Sequence, residues 1–348
     1  MEPRPLGRSG MSVSAVGLGV MTFGAQTAPD EAFAQLDLAF ASGVSLFDAA
    51  ENYPAPTMAA TQGRAEEILG SWIAARGVRD QVAVATKVTG PRGLSYLRGE
   101  TRRLDRDNIR AAVDGSLRRL DTDHIDLYQV HWPDRLITTA TRPRFIHRPD
   151  GPEVVGIEET LSALDELVRA GKVHHVGVAN ETPWGVMTYL QIARQRGWPE
   201  IASIQNGYSL LNRSFELASA EVSMRESVPL IAYSPLSGGL LSGKHLAPAP
   251  VAEPSRLDLF PGWADRTRGE RLRTATGAYR DIARAHGLDV AAMALAFVLS
   301  RPFVSAVLIG ASKLSQLEGN LRCVDVTLSA EVLKEIDAVH DADPNPFR

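Results

Sequence analysis

Four side chains that can donate or accept a proton lie at or just after the ends of short apolar segments. Asp48, Lys87 and His131 each close such a segment, and Tyr53 follows Asp48 closely. A free tyrosine has a pKa near ~10, which makes it a weak acid at neutral pH. A neighbouring ammonium stabilises the phenolate and lowers that pKa, and a carboxylate can hold the ammonium in place. Each residue alone also fits a structural role, but together the four predict acid–base chemistry centred on Tyr53.

The elements that would position these residues are indicated by short β-branched runs alternating with longer amphipathic segments. The runs predicted as strands are residues 13–19, 44–50, 82–88, 125–132, 174–180, 203–206, 230–235 and 306–310. Helical spacing is clear over residues 109–120, 158–170, 187–196 and 214–227. Pro29 and Pro183 mark two helix starts, because proline's fixed φ suits the first helical position.

Strands alternating with helices at this length imply parallel pairing through right-handed crossovers, and eight such units can close into a barrel. We therefore predict an α/β fold: a single (β/α)8 TIM barrel, with a short N-terminal β-hairpin and residues 1–348 as one domain. A doubly wound open sheet is the structural alternative. In a barrel, the C-terminal ends of the strands meet at one face, which would bring the four proton-carrying residues together.

Three connections are longer than simple links require: residues 54–63, 133–156 and 245–269. Each follows a predicted strand, so in a barrel each would rise from the C-terminal face, where loops build active sites. Decorative insertion is the alternative for any one of them. Because their sequences are irregular, they do not name a substrate.

Bulk composition excludes several classes of protein. The 348 residues are 44% hydrophobic and 22% charged, as in ordinary globular proteins, and the formal charge of −4 gives no general attraction to nucleic acid or anionic membranes. Cys323 is the only cysteine, and the first residues lack the apolar run of a secretory signal. The longest apolar stretch, residues 291–299, is about half of the ~20 residues that span a bilayer. We expect a cytoplasmic protein with no nucleic-acid or membrane partner, and the oligomeric state cannot be read.

Two glycine motifs and a histidine pair resemble known sites without completing them. Gly24 comes too late after Gly17 and Gly19 for a Rossmann fingerprint. Residues 238–244 fit the spacing G-x-x-x-x-G-K, but the next residue is His245, where an NTPase needs a serine or threonine for Mg²⁺. The loop could still cradle a phosphate. The paired histidines at 174 and 175 lack metal-site spacing, so we predict no metal site.

Residues 43–53, GVSLFDAAENY, and the helix 63–70 resemble the first signature of the aldo-keto reductase family. Residues 116–120 and 123–133 resemble its second signature, and matching segments extend from about Leu6 to Asn320. Residues 51–54, ENYP, and 208–216, YSLLNRSFE, are most similar to the Tas-type bacterial, NADP(H)-dependent branch. It departs from the common pattern at Pro54, where many relatives have glycine, and at Ala49, where threonine or serine is frequent.

The resemblance implies reversible reduction of a small-molecule aldehyde or ketone with NADPH, oxidised to NADP⁺. Tyr53 would donate the proton, and His131 would orient the carbonyl and stabilise developing charge. Lys87 and Asp48 would complete the catalytic set.

The resemblance also implies which residues bind the cofactor. Asn180 and Gln205 would hold the nicotinamide amide, and Tyr208 would stack on its ring. Lys313 would favour NADPH over NADH, because a cation stabilises the 2′-phosphate. The remaining cofactor residues are Met21, Thr22 and Gln26, then Ser234, Leu236, Gly238, Leu240 and Lys244 at the pyrophosphate, Gly310, Ser312 and Gln316 near the 2′-phosphate, and Asn320 at the adenine. Gly319 stands where many relatives carry glutamate.

Two other functions are open on sequence grounds. A Schiff-base aldolase can also place a lysine such as Lys87 at the end of a barrel strand. A cofactor-binding regulatory protein is the second, since some relatives that resemble potassium-channel β-subunits keep the four residues while serving as interaction partners.

Overall fold

Eight parallel strands close into a barrel, as predicted, and two short strands precede it. The computed structural model describes residues 1–91, 94–99, 103–138, 145, 149–246, 259 and 269–347. The strands are β1 (Pro3–Pro5), β2 (Ser12–Ser14), β3 (Val16–Gly19), β4 (Leu46–Asp48), β5 (Ala83–Val88), β6 (Ile125–Val130), β7 (Val173–Ala179), β8 (Ile204–Gly207), β9 (Leu230–Tyr233) and β10 (Val304–Ile309). The α-helices are α1 (Pro29–Ala41), α2 (Arg64–Arg76), α3 (Arg106–Leu120), α4 (Ile157–Arg169), α5 (Pro183–Arg196), α6 (Ser219–Glu226), α7 (Glu270–Ala285), α8 (Val290–Leu299), α9 (Leu314–Leu321) and α10 (Ala330–Ala342).

The strand order excludes the open-sheet alternative. Strands β3 to β10 are neighbours in chain order, and β10 pairs in parallel with β3 to close the ring. All eight strands therefore point the same way, and their carboxyl ends share one face of the barrel.

The predicted strand 13–19 is wrong as one element, because the chain divides it in two. Strand β2 pairs antiparallel with β1, giving the expected N-terminal hairpin, whereas β3 enters the barrel. The division occurs at Ser14: its hydroxyl donates to the carbonyl of Val16 and accepts from the amide of Ser45. These side-chain bonds take the place of backbone pairing where the chain turns. Leu6 and Val13 of the hairpin region are fully buried in one cluster with inward-facing residues of the barrel strands.

Local capping chemistry explains where several helices begin. Helices α1 and α5 begin at Pro29 and Pro183, as predicted, so α5 starts four residues before the clear helical spacing at 187–196. The hydroxyl of Thr182 accepts a hydrogen bond from the amide of Gly185 and so caps α5. The predicted helix 214–227 is divided into a 3-10 turn, Ser214–Leu217, and α6, because Ala218 leaves helical geometry.

The main core lies between the barrel and its helices. Trp72 of α2 is fully buried, with its ring 5.3 Å from that of Phe47 in β4 and 5.9 Å from that of Phe40 in α1. This packing fixes β4, which ends at Asp48. The large apolar area buried in the core supplies the stability that holds strand ends in register.

Of the three predicted long loops, only part can be described. Residues 54–63 lie within the described chain, whereas most of 245–269 and the middle of 133–156 lie outside it. Among described residues, no single helix is long and apolar enough to cross a membrane; α7 and α8 meet that criterion only as a pair, bent by 96°.

Candidate active site

Two neighbouring strands, β4 and β5, bring Asp48 and Lys87 together beneath the barrel mouth. Asp48 pairs in register with Ala85 of β5, so its side chain lies beside that of Lys87 two residues further along. The Lys87 ammonium donates to Asp48 Oδ2 at 2.6 Å and to the carbonyl of Ala49 at 2.6 Å. Lys87 is fully buried and Asp48 is 3% exposed. The predicted ion pair is therefore present and shielded from solvent.

Burial and the partner charge act on Lys87 in opposite directions. Desolvation lowers the pKa of Lys87, while the charge and hydrogen bond of Asp48, and more distantly the charge of Glu66, raise it. Two of the three ammonium donors bind Asp48 and Ala49, and Nζ lies 5.3 Å from the centroid of the Tyr53 ring. A positive charge here is directed at the tyrosine.

Tyr53 and His131 face each other across the mouth. Their ring centroids are 5.8 Å apart, and the planes meet at 84°. The Tyr53 carbonyl accepts from the Gly63 amide at 2.9 Å, which closes the loop that carries the ring. The His131 amide donates to Val88 just past the end of β6, and its carbonyl accepts from the Asn180 side chain at 2.9 Å. The four predicted proton-carrying residues thus converge.

Asp48 is held by more side chains than the sequence indicated. Its Oδ1 accepts from Gln205 Nε2 at 2.8 Å and, at 3.3 Å, from Gln129 Nε2. Gln205 also donates to Gln129 Oε1 at 3.2 Å. Gln129 is fully buried in β6, two residues before His131, and that spacing on an inward-facing strand could have identified it. Gln205 therefore lies at the barrel mouth, as predicted from the sequence, and its side-chain amide donates to the Asp48 carboxylate.

The two tyrosines near β8 and β9 lie in different environments. Tyr208, predicted to stack on the nicotinamide, is 1% exposed and packs against Phe297 and Phe303 at 6.2 and 5.4 Å. Its hydroxyl donates to Glu216. That burial gives no support to a ring-stacking role, because a stacking surface must be accessible. Tyr233, which sequence reasoning missed, is half-buried at the end of β9 and donates to Asn180 Oδ1 at 2.6 Å.

The loop after β9 has the backbone geometry of an anion cradle. Ser234, Ser237, Gly238 and Gly239 all have positive φ, from 48° to 98°. A side chain added at Gly239 would point at Lys244, with its Cβ 3.7 Å from Nζ, so the missing side chain leaves a cradle beside a cation. Two further predicted residues, Leu236 and Leu240, pack toward the core and leave the backbone to face a ligand. These residues fit a bound pyrophosphate.

The loop after β10 and helix α9 carry five of the predicted cofactor residues. Ser312 donates to Gln316 Oε1 through its amide and hydroxyl, at 3.1 and 3.3 Å. Lys313 is exposed at the start of α9, and Asn320 is 8% exposed near its end. Gly310, directly after β10, is exposed. A cation and polar groups thus lie together on accessible surface, as a 2′-phosphate site requires.

The predicted residues of the first loop connect neighbouring loops. Thr22 donates to the carbonyl of Ala311 at 3.1 Å and so joins the loops after β3 and β10. The Met21 carbonyl accepts from the backbone amide of Ala55 at 2.9 Å, and the side-chain Nε2 of Gln26 donates to the Ala55 carbonyl at 2.8 Å. In this structure, Met21 and Gln26 order the loop beyond Tyr53.

A buried ion pair beside the mouth was also missed. Arg135 binds Glu181 through two hydrogen bonds, and the side chains are 12% and 1% exposed. The guanidinium lies 4.8 Å from the ring centroid of Trp184, which is 62% exposed. No local pattern predicts this contact, because its partners come from separate loops. It connects the start of loop 133–156 to the loop after β7.

Comparison with known proteins identifies relatives of the whole chain. Residues 15–341 match the aldo/keto reductase family. The chain is 47% identical to Protein tas of Escherichia coli (strain K12) over 341 residues, 98% of each chain. It is 37% identical to a Babesia bovis protein named aldo-keto reductase, over 77% of this chain and 99% of the relative. It is 33% identical to uncharacterized oxidoreductase YrpG of Bacillus subtilis (strain 168), over 97% of this chain and 96% of the relative.

These matches agree with the signatures around Tyr53 and His131 and with the bacterial branch that they indicated. Family members generally use NAD(P)H and act on small carbonyl compounds. Because both the family match and the tas relative span almost the entire sequence, this chain belongs to the aldo/keto reductase family of oxidoreductases.

Proposed function

We propose that this protein reduces an aldehyde or ketone to the alcohol with NADPH, and that Tyr53 donates the proton. The observation that carries the proposal is the buried Lys87–Asp48 ion pair, whose ammonium faces the Tyr53 ring at 5.3 Å. A phenol beside a shielded ammonium is a stronger acid than a free tyrosine, because the charge stabilises the phenolate.

The proton moves from the Tyr53 hydroxyl to the carbonyl oxygen of the substrate. Lys87 stabilises the phenolate that remains, and Asp48 keeps the ammonium in position. His131, whose ring is perpendicular to that of Tyr53, directs the carbonyl oxygen toward the phenol. When bound, NADPH would supply the hydride that reaches the carbonyl carbon, so that hydride and proton together give the alcohol.

The cofactor would be held by residues from the last strands. Gly238, Gly239 and Lys244 would meet the pyrophosphate, and Ser312 and Lys313 the 2′-phosphate. Asn180 would hold the nicotinamide amide, and Gln205 would lie near the carbonyl end of that amide. The ring of Tyr233 would face the nicotinamide, because it is half-buried and therefore more exposed than the ring of Tyr208. Gln316 and Asn320 would complete the adenosine end.

The aldolase alternative requires a neutral amine that can reach a substrate carbonyl. Lys87 is fully buried, and its ammonium is bound by Asp48 and Ala49. Those contacts favour an electrostatic role for Lys87 over attack on a substrate.

A panel of aldehydes and ketones tests the proposal, with purified protein and NADPH oxidation as the readout. For the best substrate, Tyr53→Phe should lower turnover by about 10²–10⁴-fold, the range of a general acid. NADPH affinity, measured by fluorescence titration, should stay nearly unchanged. Tyr208→Phe is the matched control, because its hydroxyl binds Glu216 away from the mouth.

Normal turnover by Tyr53→Phe would contradict the assignment of the acid. Tight NADPH binding without oxidation by any carbonyl would contradict the reductase proposal and favour the cofactor-binding regulatory protein. Borohydride trapping of a substrate on Lys87 would favour the aldolase.

A further inference from the structure

Two histidines and an aspartate cluster at the end of the barrel opposite the candidate active site. His124 immediately precedes β6, Asp126 is its second residue, and His174 is the second residue of β7. They lie at the amino ends of these strands, whereas His131 follows the carboxyl end of β6. His131 comes seven residue steps after His124 along nearly extended chain, so the two ends lie roughly 20 Å apart.

Strand register explains why the cluster forms. Ile125 pairs with Val173, and Leu127 pairs with His175, so Asp126 and His174 occupy matching positions between these pairs. Side chains alternate along a strand, so Asp126 and His174 face the same side of the sheet. The ring of His124 stacks on that of His174, with centroids 4.5 Å apart.

The donor atoms have the spacing of ligands around one ion. Asp126 Oδ1 is 3.6 Å from His174 Nδ1 and 3.9 Å from His124 Nε2, and one ligand atom from each of the three residues lies within 4.8 Å of the other two. In a tetrahedral zinc site with bonds of about 2.0–2.1 Å, neighbouring donors are about 3.4 Å apart. Movements of a few tenths of an ångström would therefore bring Asp126 Oδ1 to this distance from His174 Nδ1 and from His124 Nε2.

Neighbouring groups orient these ligands as metal sites require. The Asp123 carboxylate lies 2.7 Å from His124 Nδ1, which leaves Nε2 directed at Asp126. A carboxylate on the second ring nitrogen fixes the tautomer and strengthens a histidine ligand. Asp126 Oδ2 accepts from the Val84 amide at 2.8 Å and pairs with Arg79 at 2.9 Å, so that Oδ1 faces the imidazoles.

The charge balance also suits a cation. With neutral imidazoles, the two carboxylates of Asp123 and Asp126 outweigh the one guanidinium of Arg79. Imidazole nitrogen combined with a carboxylate selects zinc and similar transition ions over Mg²⁺ and Ca²⁺, which prefer all-oxygen sites.

We propose that His124, Asp126 and His174 bind a divalent transition-metal ion, with Zn²⁺ as the probe, and that solvent supplies the fourth ligand. The His174 side chain is 48% exposed, so the ion can enter and water can reach it. The ion would link β6 to β7 at the base of the barrel. This inference differs from the prediction of no metal site made from the sequence, and it does not depend on the proposed reductase activity.

Calorimetric titration of the full-length, tag-free, chelator-treated protein with Zn²⁺ tests the site. We expect one saturable site per chain and, at excess Zn²⁺, an increase in Tm on the order of a few degrees. His174→Gln should weaken binding at least 10-fold and abolish the Tm increase. Asp123→Asn, at a side chain 95% exposed, should weaken binding by about 10-fold through His124.

His286→Gln is the matched control, because it removes an imidazole that pairs with a carboxylate, Glu335, outside the cluster. This variant should bind Zn²⁺ like the unaltered protein. Cobalt supplies an independent readout, since Co²⁺ in a four-coordinate site gives strong visible absorption, which His174→Gln should eliminate. Absence of saturable Zn²⁺ binding, or undiminished affinity in His174→Gln, would overturn the proposal.

Discussion

The ammonium of Lys87 lies 2.6 Å from Asp48 Oδ2, and neither side chain is more than 4% exposed. Removing one partner of such a buried ion pair and removing both have unequal effects on stability. Replacing both partners with neutral groups can be tolerated, but removing one leaves an uncompensated buried charge. The pair that supports Tyr53 is therefore also a point where the folded state depends on two specific side chains.

Lys87→Met should lower the free energy of unfolding by about 3–5 kcal/mol, because the Asp48 carboxylate would stay buried without its cation. Adding Asp48→Asn should restore part of that loss, even though neither variant should reduce a carbonyl efficiently. Urea unfolding of both single variants and the double variant measures the coupling. Additive losses in the double variant would contradict a direct ion pair.

The rate of carbonyl reduction should fall at high pH at a value influenced by Asp48. Burial lowers the pKa of Lys87, and the Asp48 carboxylate opposes that effect. The ammonium is present below that pKa and lost as pH rises through it, and without it the Tyr53 phenolate is less stabilised. Asp48→Asn removes the influence that raises the pKa, so the basic limb should move to lower pH.

A kcat/KM profile of each protein measures this limb, which belongs to the coupled Lys87–Tyr53 pair rather than to one residue. A shift of the Asp48→Asn limb to higher pH would contradict the assigned role.

Much of the barrel can be predicted from the sequence because the patterns that indicate its strands and helices are local. Each strand shows a short apolar run, and starts such as Pro183 follow from capping chemistry near in sequence. The positions of Asp48, Lys87 and His131 followed from a single geometric rule, that parallel strands end at one face. The division of the predicted strand 13–19 near Ser14 could not be predicted, because it depends on a contact with Ser45, thirty-one positions away.

The parts of the site that were missed depend on side-chain direction. Tyr208 and Tyr233 each stand at or next to the end of a strand, yet one points into the aromatic core at Phe303 and the other toward Asn180. Nothing in either local sequence distinguishes them. Gln129 was not predicted, because a polar residue in a buried strand indicates a functional site only when its partner, here Asp48, is known.

Gly239→Ala should weaken NADPH binding by about 10-fold. Gly239 has φ of 98°, where a side chain costs about 1–3 kcal/mol of strain, and its new Cβ would lie 3.5 Å from Lys244 Cε. Gly277→Ala, in helix α7, is the control, since no atom lies within 4 Å of its added Cβ. Fluorescence titration with NADPH compares them, and equal affinities would count against the cradle.

Lys313→Met should weaken the binding of NADPH and leave the binding of NADH unchanged. A hydrogen bond to a charged group contributes about 1.5–3 kcal/mol, so loss of the ammonium should raise the Kd for NADPH by about 10-fold or more. The Kd for NADH should stay the same, because NADH lacks the 2′-phosphate. Lys334→Met, at an exposed position of helix α10, removes the same charge elsewhere and should change neither value. Equal weakening of both cofactors by Lys313→Met would mean that this lysine contacts a group that they share, such as the pyrophosphate, and would remove the basis for an NADPH preference.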